Sequence, residues 1–272
     1  MALLVNLRKG TIQDELDQFV VLLTEGLAVQ GVSASAFCQA RLKLSPQALM
    51  RLSEHLVAIF QAHFAWRRWR GRRLLAVDGS TVRLPPTPDV IAAFGPPPKG
   101  ASLPLGRLSV LYDVLNTVVV EADVVSTEVG ERVLAGEHLA ATRSDDLVLY
   151  DRGYPAFWLF ALHAVEKRDF CMRVPVAFSH EVEAFVASGA ASAAVVFTPG
   201  EEARRQCDVY GLSTAPVVVR LVRVTLKSGE IEVLATSLLD EAAFPTHVFK
   251  QLYHLRWGIE EQYKRAKCRV EI

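Results

Sequence analysis

Near the end of the chain, Tyr253, Arg256, Glu260 and Lys267 follow one another at offsets of three, four and seven. At about 100° per helical residue, Tyr253, Glu260 and Lys267 fall within about 40° of one another, with Arg256 about 60° from Tyr253. The spacing predicts one helix face carrying a carboxylate, two cations and a phenol. A lone carboxylate among phosphate-binding groups suits metal-assisted phosphodiester chemistry, provided that other carboxylates reach it from elsewhere in the fold. Two aspartates qualify by position. Asp78 and Asp151 each follow a short apolar run, Leu74–Val77 and Leu147–Tyr150, that reads as buried strand. Each strand is expected to deliver its acid to a turn. Neighbouring strands can set two such aspartates side by side, and a helix packed on the sheet can add Glu260. Three clustered carboxylates repel one another and raise their pKa values unless hard divalent cations hold them. On the residues alone a plainer reading stays open. An Asp at a strand end forms a turn or caps a helix, and Glu260 with Lys264 makes an ordinary i,i+4 pair.

The elements that must position these groups are legible as patterns. Residues 11–70 read helical, with Leu16, Phe19, Val20 and Leu23 at i, i+3, i+4, i+7 spacing and Pro46 as a first helical position. A basic-aromatic run, Trp66 to Arg73, closes this region, and its Arg67, Arg68 and Arg70 are candidate phosphate contacts. Seven prolines between Pro85 and Gly106 predict an irregular stretch. Leu108–Leu115 and Val118–Val125 read as a hairpin about Asn116-Thr117, Glu131–Ala141 and Phe157–Val165 as helices, and Phe170–Val174 as a strand. Val217–Leu226 and Ile231–Ser237 form a second hairpin about residues 227–230, and Pro245-Thr246 opens a last long helix. The division expected is a helical N-terminal DNA-binding or accessory region at 1–73, the first part of an α/β core at 74–174, a β-rich insertion at 175–243, and a helix completing the core at 244–272.

Composition limits the function classes. Of 272 residues, 51% are hydrophobic and 22% charged, enough for a sizeable core. Net charge is zero, so bulk charge does not point to a polyanion, but its distribution does. Residues 1–73 carry ten Lys/Arg against five Asp/Glu, and residues 245–272 six against three. Two basic ends flank a neutral to acidic middle, which fits a polyanion gripped at particular places. Four scattered cysteines without a CxxC pair suit a reducing cytosol, and the seven histidines show no metal-ligand spacing. Met1 to Gly10 lacks the order of a signal peptide, and the apolar run near Phe19–Val29 is too short and polar to span a bilayer. A cytoplasmic protein is expected. Trp257 is read first as a core residue and second as a platform for a base.

With every spacing intact, Tyr253-x2-Arg256-x3-Glu260-x6-Lys267 resembles the signature of bacterial insertion-sequence DDE transposases of the YREK family, insertion sequence four type. Asp78-Gly79-Ser80-Thr81 resembles that family's first catalytic aspartate, and Asp151-Arg152-Gly153-Tyr154 its second. The resemblance implies a ribonuclease H-like core whose β-rich insertion lies between the second Asp and the Glu. It implies that Asp78, Asp151 and Glu260 hold two Mg²⁺ ions, with Mn²⁺ as a substitute, while Tyr253, Arg256 and Lys267 contact phosphates. Cleavage of DNA at element ends and strand transfer into target DNA would follow, in a nucleoid-associated homodimer bound to terminal inverted repeats. Family members continue past this helix, whereas the sequence stops five residues beyond Lys267, so a C-terminally truncated chain is expected. Two alternatives stand beside this reading: a non-mobile nuclease of the same superfamily, and a silent or inhibitory DNA-binding remnant.

Overall fold

The computed structural model describes residues 10–23, 31–226 and 228–270, with side chains at all of these but 46 and 265–270. Two compact units divide the chain between His63 and Phe64. The first holds α1 (Ile12–Leu23), α2 (Ala34–Arg41) and α3 (Pro46–His63). Ser33 caps α2 by accepting the Ala36 N–H. The Gln13 side chain clips α1 to the start of α2, accepting from Ala34 N at 2.8 Å and donating to Val32 O at 3.1 Å. The basic run from Trp66 onward belongs to the second unit.

That second unit is an α/β layer structure around one eight-stranded sheet. Its strands are β1 (Arg73–Arg83), β2 (Leu105–Asp113), β3 (Val118–Ser126), β4 (Asp146–Tyr150), β5 (Asp169–Val174), β6 (Ser192–Phe197), β7 (Val217–Thr225) and β8 (Ile231–Thr236), in the order β3-β2-β1-β4-β5-β8-β7-β6. β1, β4 and β5 run parallel, and every other neighbouring pair is antiparallel. The helices are α4 (Pro88–Phe94), α5 (Glu131–Glu137), α6 (Phe157–Glu166), α7 (His180–Ser188), α8 (Glu201–Val209), α9 (Val248–His254) and α10 (Trp257–Val270).

Strand alternation sorts the core into two layers. Leu75, Val77, Val148, Tyr150, Phe170 and Met172 face one way, against Ala135, Phe160, Val182 and Cys207 from α5 to α8. Leu74, Ala76, Leu147, Leu149 and Cys171 face the other way, against Phe249, Leu252, Tyr253 and Ile259 of α9 and α10. Central parallel strands covered on both faces must be apolar throughout, which is why Leu74–Val77 and Leu147–Tyr150 read as unbroken hydrophobic runs. The sheet is anchored at the start of β1 by a buried bidentate pair, Arg73 Nε to Asp146 Oδ1 at 2.7 Å and Nη2 to Oδ2 at 2.5 Å.

Four expectations need correction. β1 does not stop at Asp78 but continues to Arg83, because β2 pairs with it along its whole length, with Asp78 opposite Val110. The proline-rich stretch holds a short helix, α4, started by Thr87 as cap and Pro88 in the first turn. Residues 175–243 contain α7 and α8 as well as strands, and those strands extend the same sheet through the β5–β8 pair. The final helix is two helices. At Leu255–Arg256 the bonds shorten to i→i+3, with Arg256 N to Tyr253 O at 3.1 Å and Gly258 N to Leu255 O at 3.0 Å. Tyr253 therefore sits on α9 and Glu260 on α10, and the single-helix angles do not carry across the break. In the second hairpin the turn uses Gly229 at φ 88°; Lys227 lies outside the described residues.

Candidate active site

Register brings the two aspartates together. In the parallel β1–β4 ladder Leu74 faces Leu147 and Ala76 faces Leu149. Two residues further on, the same offset sets Asp78 against Asp151, both on the α9–α10 side. Pairing with β4 ends at Ala76, so the sheet opens beside Asp78 just where the acid appears. Asp151 thus follows the carboxyl end of β4, the usual ligand position of open α/β sheets, and Asp78 stands midway along β1 just past the end of its parallel pairing with β4.

Asp78 feels its companions. Burial pushes its carboxyl up to about 6; the Gly79 amide and Arg256 oppose the rise, and the charges of Asp151 and Glu260 add to it. Each aspartate is oriented by a nearby glycine. Gly79 N–H donates to Asp78 Oδ1 at 2.9 Å, and Gly153 N–H to Asp151 Oδ1 at 2.7 Å. A Cβ at position 153 would come within 3.0 Å of Asp151 Oδ1, and one at position 79 within 3.1 Å of the Glu131 carboxyl carbon. A side chain at either position would therefore push on these carboxylates, which glycine leaves undisturbed.

Glu260 is held from the break that precedes its helix. Arg256 Nη2 donates to Glu260 Oε1 at 2.7 Å, an i,i+4 pair in which Arg256 is almost wholly buried. Lys264 pairs with Glu261 instead, at 2.8 Å. The Tyr263 hydroxyl donates to the backbone carbonyl of Asp78 at 2.7 Å, tying α10 to β1. Sequence reasoning missed Tyr263, although it stands one turn past Glu260. It also missed Glu131, which packs on Gly79 from the first turn of α5. Among the described residues, two buried donors near the acids have no hydrogen-bond partner: the Tyr154 hydroxyl and Arg256 Nε. The Tyr154 hydroxyl is pushed strongly up by burial and then by Asp78, Glu131 and Asp151.

A cleft of about 1140 Å³ opens beside Asp151 and Glu260, with Arg152, Arg173, Lys250 and Arg256 in its wall. Tyr253 lines it but is buried, whereas Trp257 is 52% exposed. The core placement expected for Trp257 is thus overturned: its ring stands on the cleft wall with the Arg256 guanidinium 5.8 Å from its centroid. The side chain of Lys267 lies outside the described residues, although its backbone continues α10.

The basic run sits elsewhere. Arg67 to Arg72 precede β1 and Arg73 opens it, at the amino ends of the parallel strands, with Arg73 about 17 Å along the strand from Asp78 at 3.3 Å per residue. There the chain's own acids meet the cations: Arg68 with Asp145 at 2.5 Å, Arg72 with Asp169, and Arg73 with Asp146. Arg70 donates to Ala243 O at 3.2 Å, while Arg67 is exposed and its amide donates to Asn116 Oδ1 at 2.9 Å.

The structure also gathers three groups that spacing did not. Glu121 and Asp123, on one side of β3, meet His138 with ligand atoms within 4.8 Å of one another. Glu121-x-Asp123 in a strand was a readable signal, since i and i+2 share a face; His138 lies too far along the sequence to be tied to it.

Among the described residues no helix is long and apolar enough to cross a membrane. The family model described as Transposase DDE domain matches residues 69–271. The transposase InsG for insertion sequence element IS4 of Escherichia coli (strain K12) is 27% identical over 242 residues, covering 87% of this chain and 53% of that protein. The chain therefore spans about half the length of the curated relative it matches. With the match running from the approach to β1 through α10, the chain belongs to the transposase DDE domain family.

Proposed function

We propose that the protein is a transposase that cuts DNA at the ends of an insertion sequence and joins them to target DNA, with Asp78, Asp151 and Glu260 as its catalytic carboxylates. The observation that carries this is the placement of Asp78 and Asp151 side by side where the parallel pairing of β1 and β4 ends, with Glu260 near enough for its charge to act on the Asp78 carboxyl. A ribonuclease H-like core is supported by the antiparallel β1–β2–β3 meander followed by parallel β4 and β5, in the order β3-β2-β1-β4-β5. On this reading residues 175–243 are an insertion whose strands lengthen the sheet, and residues 1–73 an accessory DNA-binding region. A homodimer synapsing two element ends is part of the same reading.

By its chemistry the donor set suits divalent metal, although the ligand atoms of Asp78, Asp151 and Glu260 do not gather within 4.8 Å of one another as those of Glu121, Asp123 and His138 do. Three carboxylates offer oxygen ligands only, as Mg²⁺ and Mn²⁺ prefer. A half-buried carboxyl whose anion is disfavoured first by desolvation and then by two like charges is one that a cation would stabilise. When bound, a pair of such ions activates the attacking oxygen and stabilises the departing one. The remaining work falls to the chain. The Gly79 and Gly153 amides fix the aspartate oxygens. Arg256 holds Glu260 in place and offsets its charge. Arg152 and Lys250 give the cleft cations that position a strand without reading its bases, whereas Arg173 is already paired with Glu232 of the same wall at 2.8 Å. Trp257, exposed beside them, offers a face for one base.

The test is Mg²⁺-dependent nicking of DNA that carries the inverted repeats flanking the gene. Glu260→Gln is expected to abolish nicking while largely sparing DNA binding. Full cleavage by that variant would overturn the assignment.

A further inference from the structure

We propose that Glu121, Asp123 and His138 form a second divalent-metal site, of the zinc type, on the outer edge of the sheet. His138 is fully buried at the start of the single 3₁₀ turn His138–Ala141 that follows α5. Its Nε2 lies 3.0 Å from Ser109 Oγ on β2, and its Nδ1 lies 2.7 Å from Glu121 Oε2 and 3.7 Å from Asp123 Oδ2 on β3. The β2–β3 register puts Ser109 directly opposite Asp123, so all four side chains occupy one side of the edge. With Nε2–H given to Ser109, the Nδ1 lone pair is aimed at the two carboxylates. This is how outer hydrogen bonds fix the tautomer of a metal-binding histidine.

The rival occupant is a proton shared between His138 and Glu121. It satisfies one carboxylate and leaves Asp123, at 3.7 Å, beyond hydrogen-bond reach. A tetrahedral centre with bonds of about 2.0–2.1 Å needs its ligand atoms about 3.4 Å apart. The separations of 2.7 and 3.7 Å bracket that value, so a small opening of one and closing of the other seats an ion. Both carboxylates are about two-fifths exposed, which leaves access from solvent and a fourth position for water. One imidazole and two carboxylates favour Zn²⁺ over Mg²⁺, which prefers an all-oxygen octahedron. None of the three residues lines the cleft beside Asp151, so the site does not depend on the proposed catalytic role of Asp78, Asp151 and Glu260. Its effect would be to clamp the edge strand β3 to the segment after α5.

The experiment uses the full chain with Asp78→Asn, Asp151→Asn and Glu260→Gln together, which removes the other carboxylate set. Zn²⁺ binding is measured by calorimetry in excess Mg²⁺, and Co²⁺ binding by visible absorption. The expected result is one Zn²⁺ per chain, insensitive to Mg²⁺, with a Co²⁺ spectrum free of thiolate charge transfer. Asp123→Asn and Glu121→Gln, exposed isosteric changes, should each weaken binding at least about 100-fold, and Ser109→Ala about 10–100-fold. Absence of binding, a thiolate band, or undiminished affinity in Asp123→Asn or Glu121→Gln would each overturn the site.

Discussion

The Tyr263 hydroxyl donates a 2.7 Å hydrogen bond to the backbone carbonyl of Asp78. Glu260 lies one turn earlier on the same helix, so this bond references the third acid to the strand that carries the first. Tyr263→Phe keeps the ring and deletes only the bond. Unfolding free energy should fall by about 1 kcal/mol. The nicking rate should fall as well, while DNA affinity is unchanged, because the acids lose their relative placement and no phosphate contact is removed. Loss of stability with an unchanged nicking rate would reduce the bond to a structural one.

Asp78 makes the folded state weaker at neutral pH. Its folded carboxyl binds a proton more tightly than the unfolded one, whose ordinary value is 3.8 against about 6 in the fold. The folded protein therefore holds the extra proton between those values, and stability falls as pH rises through that window. Above it the penalty is complete, on the order of 2–3 kcal/mol for a shift of this size. In chelator at about pH 7.5, Asp78→Asn should be more stable than the parent by roughly 2 kcal/mol, and the difference should vanish near about pH 4. Denaturant unfolding at both pH values checks this. A constant difference would mean that packing of the amide, and not ionisation, sets the stability.

Much of this site was legible in the sequence because the β-strand alternation and the apolar runs before Asp78 and Asp151 are local signals. What was not legible depends on partners distant in the chain. The extension of β1 past Asp78 follows from pairing with β2, and nothing in Ser80 to Arg83 announces it. The break at Leu255–Arg256 carries no proline and lies within a good helical pattern, so propensity alone favours a continuous helix. The acidic partners of Arg68, Arg72 and Arg73, namely Asp145, Asp169 and Asp146, stand more than seventy residues away and meet them only when β4 and β5 line up with β1, so the sequence shows these cations without their pairing. The exposure of Trp257 is not legible either, because exposure of one helix face is set by what packs on it.

The Arg256–Glu260 pair yields a separate prediction. Arg256 is 7% exposed and already engages Glu260 at 2.7 Å. Arg256→Ala strips a partly buried carboxylate of its partner and should cost about 2–3 kcal/mol in thermal or denaturant unfolding, together with nicking. Arg256→Lys keeps the charge but loses the planar fork, so it should restore most of the stability and little of the activity. Equal recovery of both would assign Arg256 a purely electrostatic part.

Phosphate contact and base stacking in the cleft are separable by salt. Lys250 is an exposed cation on the cleft wall, its ammonium 2.7 Å from Thr225 O, and Trp257 is an uncharged ring beside it. Each phosphate contact contributes about 0.7–0.9 to the slope of log affinity against log salt, depending on strandedness, and stacking contributes essentially none. Lys250→Ala should lower that slope by about this amount, with a modest loss of affinity at any one salt concentration. Trp257→Ala should lower affinity by about 1–3 kcal/mol at every salt concentration and leave the slope alone. Arg68→Ala serves as the comparison from the other end of the strands. Its cation is already matched by Asp145, so it should change neither quantity by much. If Arg68→Ala instead carries the larger slope change, the DNA track runs past the amino ends of β1 and β4, and the cleft beside Asp151 and Glu260 is not where the strand is held.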